Sequence, residues 1–249
     1  MPDLTVITTL YNCEKYIEAS LKSVLNQTYQ DFDWIILNDG STDSTWDIVR
    51  SLSDPRMILV DSKDNQRIPR RRNQCIGMAN TKYVCIHDGD DISLPHRFER
   101  QIEMMNSSPD LFCCGGWAIA VNDAGERQEM MNYPALRHDQ IVNQLLIKRQ
   151  NPMIDPTTMF RQEDFTSLHG YTLEKAIYTV PDMDLWARAM LDGKIFANIP
   201  EPLIEYRFNP DGMTMKHKKE MIGAHMIVWK RFRDAYVARQ RTTEAVSNE

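Results

Sequence analysis

The chain is poor in cysteine and short of positive charge, and it has neither a long apolar run nor a glycine-rich loop near its start. It carries five cysteines in 249 residues, Cys13, Cys75, Cys85, Cys113 and Cys114. The number is odd and no Cys-x-x-Cys pair occurs, which argues against a disulfide framework or a thiolate zinc site and fits a reducing compartment. Cys113 and Cys114 sit in an apolar stretch and are expected to be buried thiols. Lys and Arg together number 29 against 35 Asp and Glu, a net charge of -6. A nucleic-acid partner is therefore not expected, since such proteins carry a basic excess. A nucleotide is not excluded, because it needs only a local cradle. The longest apolar run, Phe112 to Val121, falls well short of the ~20 residues of a membrane helix. Met-Pro-Asp leads directly into a strand-like segment, with none of the basic and apolar zones of a signal peptide, so a cytoplasmic location is expected. The first loop, Thr9-Leu10-Tyr11-Asn12-Cys13, has no glycine. This counts against a nucleotidyltransferase phosphate loop and against the GxGxxG of a dehydrogenase.

What is present is a regular alternation. Leu4 to Leu10 is apolar and β-branched, as a buried parallel strand should be. Helical spacing follows from Glu14 to Gln27, with Tyr16, Ile17, Leu21, Val24 and Leu25 on one side. The pattern repeats with a strand at Phe32–Leu37 and a helix at Ser44–Leu52. A strand at Met57–Val60 and a helix at Ile68–Ala79 come next, then a strand at Tyr83–Ile86. Such a series implies an open parallel α/β sheet. Further on, the patterns predict strands at Leu111–Val121, Thr157–Arg161, Lys194–Asn198 and Leu203–Phe208. Helices are predicted at Arg137–Ile147, Asp182–Leu191 and Lys216–Arg239. Neither a repeat nor a low-complexity linker divides the chain, and 42% hydrophobic content supports one large core.

Ligands of open α/β sheets bind at the carboxyl ends of the strands. Three polar clusters fall at such ends: Thr9–Asn12, Asn38-Asp39-Gly40-Ser41 and Asp88-Gly89-Asp90-Asp91. The last puts three carboxylates within four residues after a buried strand. Crowded like charges repel unless a cation or proton relieves them, and carboxylate oxygens suit Mg²⁺ or Mn²⁺ that share their other positions with phosphate and water. The plainer reading is an acidic solvated turn. Asn38–Ser41 is either a strand-to-helix turn capped by Asp43 or Ser44, or a site where Asp39 accepts hydrogen bonds from a base or ribose. Arg67, Arg70, Arg71 and Arg72 are either a phosphate-binding run or a solvated helix face.

With these stretches in view the chain resembles the family 2 inverting glycosyltransferases of GT-A fold. The resemblance is carried by Val6–Asn12, Ser23–Thr28, Ile35–Asp43, Arg72-Asn73 and Tyr83–Asp91, then by Pro156–Arg161, Asp182–Arg188 and Pro200–Arg207. They lie in the family's order over roughly residues 3–210. The resemblance implies a Rossmann-like, mostly parallel central sheet flanked by helices, in a single α/β domain with a C-terminal helix. It also implies transfer of a sugar from a nucleotide-diphosphate donor, with UDP favoured, to a hydroxyl of a saccharide or lipid-linked acceptor. Thr9 and Tyr11 would line the base pocket and Asp39 would bind the base. Asp88 would shape the donor-sugar site, Asp90 would lie near ribose and metal, and Asp91 would be the principal ligand of Mn²⁺ or Mg²⁺. Arg72 would contact the acid cluster or the diphosphate. Asp182 would be the catalytic base, taking the acceptor hydroxyl's proton, with Asp184 in a supporting role.

Departures from the pattern are few. Pro181 replaces the acid that normally precedes the base, removing a second carboxylate. Asn209 stands where many relatives have histidine, and His217 nearby is either a diphosphate or metal contact or a surface residue. The implied organisation is a glycosyltransferase domain over 1–215, with a nucleotide half about 1–108 and an acceptor half about 109–215. A basic amphipathic helix over 216–241 and a polar tail over 242–249 follow. That helix would pack on the domain, pair two subunits, or lie on an anionic membrane. Two rival readings remain: a nucleotidyltransferase, and a sugar-nucleotide-binding module that has lost activity.

Overall fold

The computed structural model describes residues 2–247. In chain order the strands are β1 (Leu4–Leu10), β2 (Phe32–Asp39), β3 (Met57–Ser62), β4 (Tyr83–Ile86), β5 (Ile92–Ser93), β6 (Leu111–Val121), β7 (Arg127–Met131), β8 (Met159–Arg161) and β9 (Ile195–Arg207). The helices are α1 (Ile17–Leu25), α2 (Thr45–Ser51), α3 (Ile68–Met78), α4 (Arg97–Ser107), α5 (His138–Leu146), α6 (Gln162–Ser167), α7 (Pro181–Leu191), α8 (Met213–Lys216) and α9 (Lys218–Ser247). Short 3₁₀ turns at Asp155–Thr157 and Lys175–Ile177 complete the described elements.

Among the described residues one sheet runs in the order β3-β2-β1-β4-β8-β6-β9-β5, with β7 on β6. β1 pairs in parallel with both β2 and β4, and β2 with β3. This half is the open parallel sheet expected from the alternating pattern. Beyond β4 the sheet is mixed rather than mostly parallel. β8 runs antiparallel to β4 and β6, β9 is parallel to β6, and β5 is antiparallel to β9.

Alternation along the strands sends side chains to two cores. Leu4 and Val6 of β1, Trp34 and Ile36 of β2, and Cys85 of β4 pack with α1, α2 and α4. Ile7, Ile35, Leu37, Val84 and Ile86 face the other way, toward α3, α5, α7 and α9. Trp186 of α7 and Phe232 of α9 are fully buried there, and each such side chain contributes roughly 1.5–3 kcal/mol by leaving water. All five cysteines are free and buried.

Several elements depart from expectation. The two strands expected at Lys194–Asn198 and Leu203–Phe208 are one strand, β9, in which Pro200 and Pro202 are accommodated where its pairing with β6 shifts register at Trp117. α4 lies where no helix was read. α9 carries Ala224, Val228, Trp229 and Phe232 into the core, so its apolar face packs on its own domain, and it runs on to Ser247. No helix among the described residues is long and apolar enough to cross a membrane.

Candidate active site

The parallel strands end side by side, and their terminal loops meet as the sequence suggested. Asn12, at φ 48°, accepts from the Thr42 amide through Oδ1 at 2.8 Å, and its own amide donates to Ser41 Oγ at 3.1 Å. The Cys13 amide donates to Thr45 Oγ1 at 2.8 Å. Under this loop lies the backbone of the acidic motif: a Cβ on Gly89 would come within 2.4 Å of Leu10 Cδ2 and 3.2 Å of Cys13 Sγ. Only glycine lets the two loops approach this closely.

A cleft of about 690 Å³ opens at these ends. Its walls include all eight residues singled out from sequence: Thr9, Tyr11, Asp39, Arg72, Asp88, Asp90, Asp91 and Asp182. His217 also lines it, with Tyr178 Oη 3.3 Å from its Nδ1.

Asp91 is buried; its Oδ1 accepts from the Arg207 amide at 2.8 Å, and its Oδ2 has no hydrogen-bond partner. Burial, then the charges of Asp90 and Asp88, push its carboxyl well above the usual range. Asp90, which accepts from Asn209 Nδ2 at 3.1 Å, is pushed up to about 6 by burial and by Asp88. Among the described residues no three His, Cys, Asp or Glu side chains converge as a ready-made metal cluster. The donor set nevertheless fits a hard divalent cation: an orphaned buried carboxylate oxygen on Asp91 and a second raised carboxylate two atoms of backbone away leave positions for phosphate and water, the usual state of Mg²⁺ or Mn²⁺.

Beneath the motif, His87 is buried between Ser20 Oγ at 2.8 Å and Ser93 Oγ at 3.1 Å. Burial, with the Arg97 cation nearby, lowers its pKa to about 3, so it is neutral. Arg97 of α4 is itself buried, donating to Ser93 Oγ at 3.0 Å and to the Ile86 carbonyl at 2.7 Å. It opposes the negative charge of Asp91 from inside the fold.

The arginine run splits three ways. Arg71 and Arg72 of α3 point inward and are buried, which corrects the solvated-face reading for both. Arg71 Nε donates to Asp39 Oδ1 at 2.6 Å. Arg72 donates through Nη2 to Asp88 Oδ1 at 2.5 Å and through Nη1 to Asp155. Arg67 stands outside the helix at φ 70°, its guanidinium 4.8 Å from the Tyr178 ring centre. Arg70 is exposed. Asp39 also accepts from the amides of Gln66 at 2.8 Å and Arg67 at 2.9 Å. It thus ties the 63–71 segment to the end of β2 and is buried beside the cleft. Asn38 shapes the preceding turn, accepting from the Ser41 amide at 3.0 Å and donating to Asp61 at 2.8 Å.

Asp182 comes from the other half of the chain. Pro181 is the first residue of α7, the place where proline suits a helix best, and Asp182 follows in its first turn. Its Oδ2 accepts from Asn151 Nδ2 at 2.7 Å, and burial raises its pKa. Asp184 turns away and holds Arg188 at 2.8 Å, which clamps the Leu168 and Gly170 carbonyls. Sequence reasoning missed Asp155, Asn151, Tyr171 and Arg97. The available signal for Asp155 was an acid inside the apolar stretch Met153-Ile154-Asp155-Pro156, where an unpaired charge would be too costly to keep.

A half-parallel, half-mixed α/β sheet with acidic residues grouped at its strand ends sets a ligand cleft where such sheets bind their ligands. The chain belongs to glycosyl transferase family 2: residues 5–169 match that family's model. It is similar to EpsE of Bacillus subtilis (strain 168), provisionally named a glycosyltransferase, with 27% identity over 232 residues, 92% of this chain and 81% of that one. It is also similar to the UDP-Glc:alpha-D-GlcNAc-diphosphoundecaprenol beta-1,3-glucosyltransferase WfaP of Escherichia coli, with 31% identity over 116 residues, 47% of this chain and 46% of that one. Among solved structures, Staphylococcus aureus TarS 1-349 with UDP-GlcNAc superposes with TM-score 0.69 at 19% identity, over 87% of this chain and 61% of that chain. The mannosyltransferase PcManGT of Pyrobaculum calidifontis with GDP-Man and Mn2+ gives TM-score 0.69 at 16% identity, over 94% and 69%. The chain thus spans about three fifths of the TarS fragment. The fold is that of the GT-A glycosyltransferases, and the chain is a glycosyltransferase.

Proposed function

We propose that the cleft transfers a sugar, with inversion, from a UDP-sugar to a hydroxyl of a saccharide carried on a lipid diphosphate. The observation that carries this reading is a cleft lined both by Asp88, Asp90 and Asp91 and by Asp182. Residues about 1–108 bind the donor and about 109–215 the acceptor. Thr9, Tyr11 and Asp39 border the base, and Arg72 and Asp88 border the donor sugar and diphosphate. Asp90 and Asp91 hold Mn²⁺ or Mg²⁺, which when bound supplies positive charge for the departing diphosphate. Asp182, ionised, takes the proton of the acceptor hydroxyl as that oxygen attacks the anomeric carbon, a general-base contribution of about 10²–10⁴-fold. Asn151 fixes the carboxylate's orientation through its 2.7 Å bond. UDP as the nucleotide and a lipid-linked acceptor are supported by similarity to a relative whose name states both.

The test is turnover of UDP-sugars with Mn²⁺ by wild type and Asp182→Asn. Loss of turnover with UDP binding retained supports Asp182 as the base. UDP binding without turnover of any donor by the wild type would leave only a binding module.

A lipid-linked acceptor would bring the enzyme to a membrane surface, and α9 offers a face for it. Ile222, Met226 and Val237 are exposed on its outer side together with Lys219 and Lys230, a mixture suited to anionic headgroups. Deleting α9 would open the core, so the informative variant is Ile222→Glu/Met226→Glu. It should lose flotation with phosphatidylglycerol vesicles while remaining folded; equal absence of flotation for wild type would end the idea.

A further inference from the structure

Asp155 lines the cleft and is buried, only 9% accessible. It sits in the 3₁₀ turn that leads into β8. Both of its oxygens are engaged. Oδ2 accepts from Arg72 Nη1, and Oδ1 accepts from Tyr171 Oη at 3.3 Å. Tyr171 is pinned in turn by Asn73, the neighbour of Arg72: Asn73 Nδ2 donates to the Tyr171 carbonyl at 2.8 Å, and the Tyr171 amide donates back to Asn73 Oδ1 at 2.9 Å. The left-handed backbone at Gly170, φ 67°, makes room for that clamp, since a Cβ there would lie 2.7 Å from Asn73 Oδ1. A two-residue segment of α3 thus grips Asp155 directly through Arg72 and indirectly through Asn73 and Tyr171.

We propose that Asp155 is a positioning residue for the transfer: it anchors Arg72 across the cleft to Asp88 and so fixes the cation that acts on Asp182. The proposal rests on the reading of Asp182 as the base. Arg72 is one cation among three buried or half-buried acids, Asp88, Asp155 and Asp182. Held by Asp155 through Nη1 and by Asp88 through Nη2, its guanidinium is anchored at two points, which fixes its position as well as its charge. The same arrangement sets the basicity of Asp182. The groups that face Asp182 are Asn151 and Arg72, which favour its ionised form, and Asp155, Tyr171 and Tyr133, which feel its charge. Asp155 is pushed up to about 7, chiefly by burial, with Asp182 and Asp88 adding to it. Asp155 takes up part of the Arg72 charge that favours ionised Asp182, so removing the Asp155 carboxylate leaves more of that charge to Asp182 and weakens it as a base.

The test compares Asp155→Asn and Asp155→Glu with wild type in the pH dependence of kcat/KM, using the UDP-sugar turned over in the assay above. In Asp155→Asn the acidic limb, which reports the base, should move down by about one pH unit. Turnover should fall about tenfold or more because Arg72 has lost one anchor. Asp155→Glu should restore the limb. A purely structural role would lower Tm and leave the limb in place, and a limb unmoved in folded Asp155→Asn overturns the proposal. Asp155→Ser makes the same charge change and gives the same reading if the asparagine variant does not fold. Asp182→Asn separates the two claims: if it retains turnover, the base assignment fails. If it abolishes turnover while Asp155→Asn leaves the limb in place, only the role of Asp155 fails.

Discussion

Replacing Asp39 with alanine should damage the fold before any effect on nucleotide is considered. Its carboxylate accepts three hydrogen bonds, from the amides of Gln66 and Arg67 and from Arg71 Nε. Both it and Arg71 have side chains only 6% exposed. Alanine leaves the Gln66 and Arg67 amides short of an acceptor and Arg71 short of its counter-charge. Arg71 keeps neutral acceptors, Gln74 Oε1 at 2.8 Å and the Asp64 carbonyl at 2.6 Å, which soften the loss without neutralising the charge. Breaking a buried pair by removing one partner costs about 3–5 kcal/mol. For a chain of this size each kcal/mol lowers Tm by roughly 2–4 °C. The expected fall is therefore at least about 6 °C, measured by calorimetry without nucleotide. Asp39→Asn, which keeps one acceptor oxygen, should lose about half as much. A fall below about 2 °C in Asp39→Ala would refute the reasoning. It would mean that the 63–71 segment is held by other contacts and that Asp39 is free to serve the base alone.

His87 gives a pH prediction. Its pKa is lowered from 6.5 to about 3 by burial and Arg97, so between these values the unfolded chain binds a proton that the native state does not. Stability is then lost as pH falls from about 6.5, with a slope approaching 1.4 kcal/mol per pH unit; His87→Gln in urea melts from pH 4 to 7 should lack that slope. Gly89→Ala should cost about 1–3 kcal/mol through overpacking, since Leu10 and Cys13 are themselves buried and have little room to retreat. Because the displaced loop carries Tyr11, UDP binding by calorimetry should weaken together with the urea midpoint; unchanged binding would detach the loop from the nucleotide.

Much of the first half of the chain was legible because its signals are local. β1 and β4 were read to the residue, since continuous apolar runs bounded by polar turns leave little choice. The motif residues were visible because their crowding is itself unusual. What escaped was set by tertiary contacts or by weak local pattern. α4 is rich in charge, and its buried stripe of Phe98, Gln101, Ile102 and Met105 includes polar members. β7, Arg127–Met131, is almost wholly exposed and has no apolar alternation to find. β9 was cut in two because Pro200 and Pro202 read as breaks, and only its partner strand shows how they are absorbed. The pairing of Arg72 with Asp155 joins residues 83 apart, and nothing local to either announces the other.

The helix that carries Asp182 leans on α9. Met183, Trp186 and Met190 of α7 share a core with Ala224, Val228, Trp229 and Phe232 of α9, whereas Asp90 and Asp91 hang from the parallel strands. Trp186 of α7 also meets Phe112, Phe160 and Phe196 of the strands, so α7 is held between the sheet and a helix whose outer side faces solvent. Whatever grips that outer side, lipid or protein, therefore loads the helix that carries Asp182 more directly than the loop that carries the acidic motif. Sequence change in α9 can likewise shift Asp182 without any change at Asp90 or Asp91.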